Sequence, residues 1–129
     1  MAESYNYSPV GAEYWLLAEP LLTEALERGA NLYTPDDVYQ KLRSGECQLW
    51  MSPSHQSAIV TTWTDSAVGQ IINLWLGGGN LNEVKDLVVG IEQWGKKHGA
   101  VRSMIVGRRG WGRSLPGYTE SATLFLKEI

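Results

Sequence analysis

The stretch Gln70-Ile71-Ile72-Asn73-Leu74-Trp75-Leu76-Gly77-Gly78-Gly79-Asn80 reads as a buried strand running into a glycine corner. Strand alternation puts Ile71, Asn73 and Trp75 on one side and Ile72, Leu74 and Leu76 on the other. Both sides are mostly apolar, which fits a sheet covered on both faces. The three glycines open backbone angles closed to other residues and let a ligand approach closely. Asn80 is a good helix cap, and Glu83, three residues on, resembles the second half of a capping box. Leu81, Val84, Leu87, Val88, Ile91, Trp94 and His98 then recur at helical spacing. Lys96, Lys97 and His98 suit the negative end of the helix dipole, and Gly99 suits the position just past it. Gly90 and Gly95, inside the helix, would allow close packing on the sheet. A strand, a corner and a helix start in this order can present free N–H groups to an anion. The plain alternative is a tight turn without a ligand.

Working outward, residues 1–10 are polar and aromatic and suit a short edge strand or a loosely attached segment. Val10 to Glu27 has a helical apolar stripe of Tyr14, Leu17, Leu21, Leu22, Ala25 and Leu26. Pro20 predicts a kink or two short helices. Thr34-Pro35-Asp36-Asp37 starts a second helix, with a threonine cap, proline in the first turn and acids behind it, and Gly45 ends it. Strands are expected over Cys47 to Met51, Ala58 to Trp63 and Gln70 to Leu76. The polar turns between them are Ser52 to Gln56 and Thr64 to Ser66, short enough for antiparallel neighbours. After the long helix, Arg102 to Val106 forms a strand parallel to Gln70–Leu76 through a right-handed crossover. Residues 107–117 are irregular, and Thr119 to Leu126 reads as a last strand. The sum is a single α+β domain with a mixed central sheet.

The length of 129 residues suits one core, and 43% hydrophobic with 19% charged residues is ordinary for a soluble globular chain. No apolar run approaches a membrane span, and the start lacks the basic and apolar regions of a signal peptide. Cys47 is the single cysteine, so no internal disulfide forms, and a reducing compartment is the simplest reading. No metal-ligand spacing surrounds it. The net charge of −3 is unevenly spread, −6 over residues 1–65 and +3 over 66–129. Arg102, Arg108, Arg109 and Arg113 could meet phosphates or form a solvated rim. The pI of about 5.3 speaks against a dedicated nucleic-acid binder.

In this element order the chain resembles the GNAT acyltransferases, the Gcn5-related N-acetyltransferase superfamily, over nearly its whole length. The resemblance is closest in Leu74-Trp75-Leu76-Gly77-Gly78, Ile91-Glu92-Gln93-Trp94 and Gly99. It continues in Gly107-Arg108-Arg109-Gly110-Trp111, Arg113, Leu115 and Gly117-Tyr118. That pattern is similar to small GNAT-like proteins of tailed bacteriophages. The resemblance implies a GNAT-like mixed sheet with helices on both faces. It also implies acetyl-CoA or another acyl-CoA in a gap between two splayed parallel strands. Leu74, Leu76, Gly77, Gly78, Gly79 and Asn80 would then bind that substrate, with pyrophosphate on the loop's N–H groups. No metal is implied.

The chain departs from the family pattern in two places. The Gln/Arg-x-x-Gly-x-Gly/Ala loop is replaced by Gly77-Gly78-Gly79-Asn80-Leu81-Asn82, without the arginine or glutamine and with a different glycine spacing. The tyrosine that many members carry four residues before a Gly-Phe pair is Arg113 here, and Tyr118 takes the place of the phenylalanine. Arg113 stays protonated and could stabilise a thiolate electrostatically or, more simply, pair with a surface acid. Tyr118 is the other catalytic candidate, with an aromatic packed into the core as the plainer reading. His55 and His98 read as structural or solvated, and most of the six tryptophans as core. Trp111, between two glycines, reads as an exposed interface anchor.

Two functions follow from the resemblance. One is an acyl-CoA-dependent N-acyltransferase with a degenerate cofactor loop. The other is a non-catalytic phage protein using the scaffold as a virion component or protein-binding module. The second implies a virion or host protein partner, and both imply the host cytoplasm, with incorporation in a virion for the second. Neither needs a membrane.

Overall fold

Among the described residues a four-stranded sheet carries helices on both faces. The computed structural model describes residues 7–28, 32–105, 114–119 and 127–129. Helix α1 is Trp15–Arg28, preceded by a 3₁₀ turn at Ala12–Tyr14, and α2 is Pro35–Ser44. Strands β1 (Cys47–Met51), β2 (Ala58–Ser66) and β3 (Gly69–Gly78) follow, then α3 (Leu81–Lys97) and β4 (Ala100–Ile105). The sheet order is β1-β2-β3-β4, with β1–β2 and β2–β3 antiparallel and β3–β4 parallel across α3. Val10 adds one bridge to Leu49 at the β1 edge. This is the α+β, mixed-sheet architecture expected.

The start of α2 forms as its sequence predicts. Thr34 Oγ1 accepts from the Asp37 amide at 3.1 Å, and Asp37 Oδ2 accepts from the Thr34 amide at 2.8 Å. Gly45 closes the helix at φ +86°, a left-handed angle that suits glycine. Pro20 does not split α1, which runs unbroken past it. The proline and Leu16, whose carbonyl loses its usual partner, both lie on the exposed side, where water can replace the bond.

Two cores sandwich the sheet. Trp15, Ala18, Leu22 and Leu26 of α1 and Val38 of α2 pack on Cys47, Leu49, Val60 and Leu76. Val84, Leu87, Val88 and Ile91 of α3 pack on Trp50, Ile59, Ile72 and Leu74. The buried Trp50 indole donates to Thr61 Oγ1 at 3.0 Å, and Thr61 donates to Gln48 Oε1 at 2.9 Å. Trp94 stacks edge-on against Trp50, with ring centres 5.2 Å apart.

Three expectations need correction. The Thr64-Asp65-Ser66 segment is not a turn. The β2–β3 ladder continues to Ser66↔Gly69, and the chain reverses at Ala67-Val68. This hairpin end projects beyond the core, so polar residues occupy both faces. Gly95 does let α3 approach Ile72 of the sheet, but Gly90 makes room for the Tyr7 ring instead. The third concerns Leu76. A bulge opposite Val60/Thr61 places one extra residue, Trp75, between Leu74 and Leu76. Leu74 therefore faces α3, while Leu76 faces α1, not the same side as expected.

Candidate functional site

The bulge at Trp75 lies next to the last described rung of the parallel ladder. Among the described residues β3 and β4 pair from Gln70↔Ala100 to Leu74↔Ile105. Beyond Leu74, β3 has β2 as its only strand partner among the described residues. A bulge bends its strand, and here it bends the β4-side edge of β3 at Trp75.

On the α1/α2 face a groove of about 410 Å³ adjoins this edge. Tyr33 and Trp75 meet edge to face across it, with centroids 4.9 Å apart. Its other walls include Cys47, Thr62, Asn73 and the Lys41–Glu46 ion pair, 3.2 Å apart. Asn73 donates to Thr62 Oγ1 at 3.3 Å, but its Oδ1 is buried with no hydrogen-bond partner among the described residues. Burial pushes the Cys47 thiol up to about 11, so it stays protonated and unreactive at neutral pH. A larger groove, about 690 Å³, lies between the starts of α1 and α2 among Glu13, Glu19 and Asp36 and shares no residue with β3. The bulge at Trp75 and the buried Asn73 Oδ1 make the smaller groove the stronger candidate site.

The glycine corner is closed by neighbours. A Cβ on Gly78 would collide with the Leu21 carbonyl oxygen of α1. Gly79 has φ +120°, and a Cβ there would strike Ser57 and the Gln56 carbonyl. The glycines are needed for these close approaches, whatever binds.

The helix start is also occupied. Asn80 Oδ1 accepts from the amides of Asn82 at 2.9 Å and Glu83 at 3.3 Å. The Asn80 amide donates to Ser57 Oγ at 2.9 Å, and the Val84 amide to the Asn80 carbonyl at 2.9 Å. The expected capping box does not form, because Ser57 reaches the Asn80 amide in place of Glu83. The Glu83 carboxylate instead accepts from Ser54 Oγ and Ser57 Oγ, both at 2.6 Å. Those hydroxyls hold its pKa below the usual carboxylate range, so it is ionised at neutral pH.

An acyl-CoA presents a neutral amide-bearing arm and a charged diphosphate. The corner suits the diphosphate poorly: the amides of Asn80, Asn82, Glu83 and Val84 are bonded internally, and the Glu83 carboxylate stands in the first turn. Of the residues expected to receive pyrophosphate, Asn80 has its amide bonded to Ser57 Oγ.

The catalytic candidates fare differently. Tyr118 is half-buried, and its hydroxyl donates to Glu92 Oε2 of α3 at 2.6 Å. It also shares a 2.6 Å hydrogen bond with Ser103 Oγ of β4. Burial and the adjacent Glu92 raise its pKa. Ser103 pairs with Ile72 in the β3–β4 ladder, so Tyr118 braces α3 against β4. Arg113, Arg108, Arg109, Trp111 and most of the expected last strand lie outside the described residues. His98 caps α3 with Nδ1 2.8 Å from the Trp94 carbonyl, and His55 holds a turn at φ +60° beside the Tyr14 ring. Among the described residues no group of three or more His, Cys, Asp or Glu could hold a metal ion. No helix there is long and apolar enough to cross a membrane.

Sequence reasoning missed Ser54, Ser57 and the Leu21 carbonyl. The only trace was a serine-rich turn, Ser52 to Ser57, far from the corner in sequence.

No family model and no curated protein matches the chain. Solved structures do. One is a probable acetyltransferase, with a TM-score of 0.69 at 14% identity, covering 95% of this chain and 99% of that one. Another is an aminoglycoside acetyltransferase from an uncultured soil metagenomic sample, in complex with sisomicin, with a TM-score of 0.69 at 10% identity, covering 95% and 94%. A third is a possible acetyltransferase from Clostridium difficile 630, with a TM-score of 0.61 at 10% identity, covering 95% and 96%. At these identities the likeness is one of fold. The fold is the GNAT-like one, with its mixed sheet and helices on both faces.

Proposed function

We propose that this protein is an N-acyltransferase whose thioester donor lies along β3 at Trp75–Gly78. The observation that carries this reading is the bulge at Trp75, which bends β3 beside the parallel strand β4. The acetyltransferase activity ascribed to its structural neighbours supports the reaction class. In such a reaction the amine nitrogen attacks the thioester carbonyl, the new C–N bond replaces the C–S bond, and a proton passes from the amine to the departing thiolate. Backbone N–H groups of β3 would stabilise the developing oxyanion. The groove beside Trp75 would receive the amine. Its Tyr33–Trp75 wall suits a cation, and the buried Asn73 Oδ1 can accept an N–H if Tyr33, at the exposed rim, shifts.

The test is thiol release from an acetyl thioester in the presence of a panel of primary amines, with mass spectrometry of the amines. Release that depends on an amine, with that amine gaining an acetyl group, is the expected result. Release with no amine, or none at all, contradicts it.

A second reading is a non-catalytic protein-binding module on the same scaffold, serving a virion or host protein. The closed corner and the committed Tyr118 hydroxyl favour it. It predicts no response to any thioester and a stable complex with a protein partner.

A further inference from the structure

We infer that the β3–α3 corner selects against a diphosphate, so that the donor is a thioester on a neutral pantetheine-type arm. The inference rests on the acyltransferase reading above and narrows its donor class. Anion sites at helix starts work by turning unpaired N–H donors outward. This corner turns oxygen inward. The Leu21 carbonyl lies against Gly78, the Gln56 carbonyl and Ser57 Oγ lie against Gly79, and the Glu83 carboxylate sits in the first turn.

The carboxylate is fixed as well as charged. Ser54 and Ser57 each donate to one of its oxygens, so it has two donors holding it at the corner. Ser57 is itself buried, and its amide is anchored by Ser52 Oγ at 3.1 Å. No arginine or lysine among the described residues pairs with Glu83. An arm lying along Trp75–Gly78 and continuing past Gly79 meets the Glu83 carboxylate. One like charge a few ångströms away near the surface weakens binding by roughly tenfold or more. A neutral arm carries no such penalty.

Isothermal titration at low ionic strength tests this with acetyl-CoA and S-acetylpantetheine, which differ in the nucleotide diphosphate. The wild type, Glu83→Gln and Glu83→Ala are compared, each checked for a cooperative thermal transition. The expected result is S-acetylpantetheine binding roughly tenfold tighter than acetyl-CoA to the wild type. Glu83→Gln should narrow the gap by tightening acetyl-CoA alone, and added salt should narrow it in the wild type through screening. Acetyl-CoA binding as tightly as S-acetylpantetheine to the wild type would overturn the inference and leave the acyltransferase reading standing. A gap that neither Glu83 variant changes would overturn the role given to Glu83. No heat from either thioester with any variant would remove both.

Discussion

Leu74 and Leu76 lie two residues apart on one strand and face opposite sides of the sheet. The extra residue between them, Trp75, bends β3. Packing and bulge are thus one feature: Leu74 closes the α3 core and Leu76 closes the α1 core.

Gly78→Ala should destabilise the fold rather than only block a ligand, because the new Cβ meets the Leu21 carbonyl of α1. Overpacking of this kind costs about 1–3 kcal/mol. Chemical denaturation should show a lower midpoint with an unchanged slope. An unaltered midpoint would mean that α1 does not press on the corner.

Thr61→Val should leave the Trp50 indole N–H buried without its acceptor and deprive Gln48 of its donor. The loss expected for such an orphaned group is about 1–3 kcal/mol. Denaturation followed by tryptophan fluorescence measures it, since Trp50 stacks against Trp94 in the same core.

Tyr118→Phe separates a brace from a catalyst. Removing the hydroxyl that joins Glu92 to Ser103 should lower stability by about 1–2 kcal/mol. Any thiol-releasing activity should persist per folded molecule. A stable variant with activity lost would make Tyr118 a proton donor instead.

Acid should loosen the corner through Glu83. Its folded pKa lies below the ordinary value of 4.5, so its contribution is present above that value and disappears as pH falls through the folded pKa. Thermal melts from about pH 6 to pH 3 should therefore fall more steeply for the wild type than for Glu83→Gln. Parallel curves would show that the Ser54 and Ser57 bonds do not stabilise the ionised form.

Much of this was legible in the sequence, for reasons specific to each segment. Thr34 to Asp37 and Gly45 carry local signals, and local chemistry alone sets both ends of α2. Cys47 to Met51 is a short, mostly apolar run bounded by Gly45 and Pro53. The fold class followed from element order and from the long crossover into Ala100–Ile105. What stayed hidden depends on contacts between distant segments. No residue in Leu74-Trp75-Leu76 announces a bulge, since all three are large and apolar and fit either face. Asn80 and Glu83 matched a capping box, but Ser57 arrived from another hairpin and displaced that bond. Tyr118 is an ordinary aromatic in sequence, and only the packing of α3 on β4 brings Glu92 and Ser103 to it. The likeness to acetyltransferases was readable from the same pattern, while the closed corner that departs from an anion site was not.

The central claim is that the β3 edge from Trp75 to Gly78 is where a thioester arm binds. Amide hydrogen exchange followed by NMR, with and without saturating S-acetylpantetheine, reads that edge residue by residue. The account predicts slowed exchange within Trp75–Gly78, with the amides of Asn82 and Glu83 unchanged. No slowing at that edge, or slowing centred on the start of α3, would contradict it.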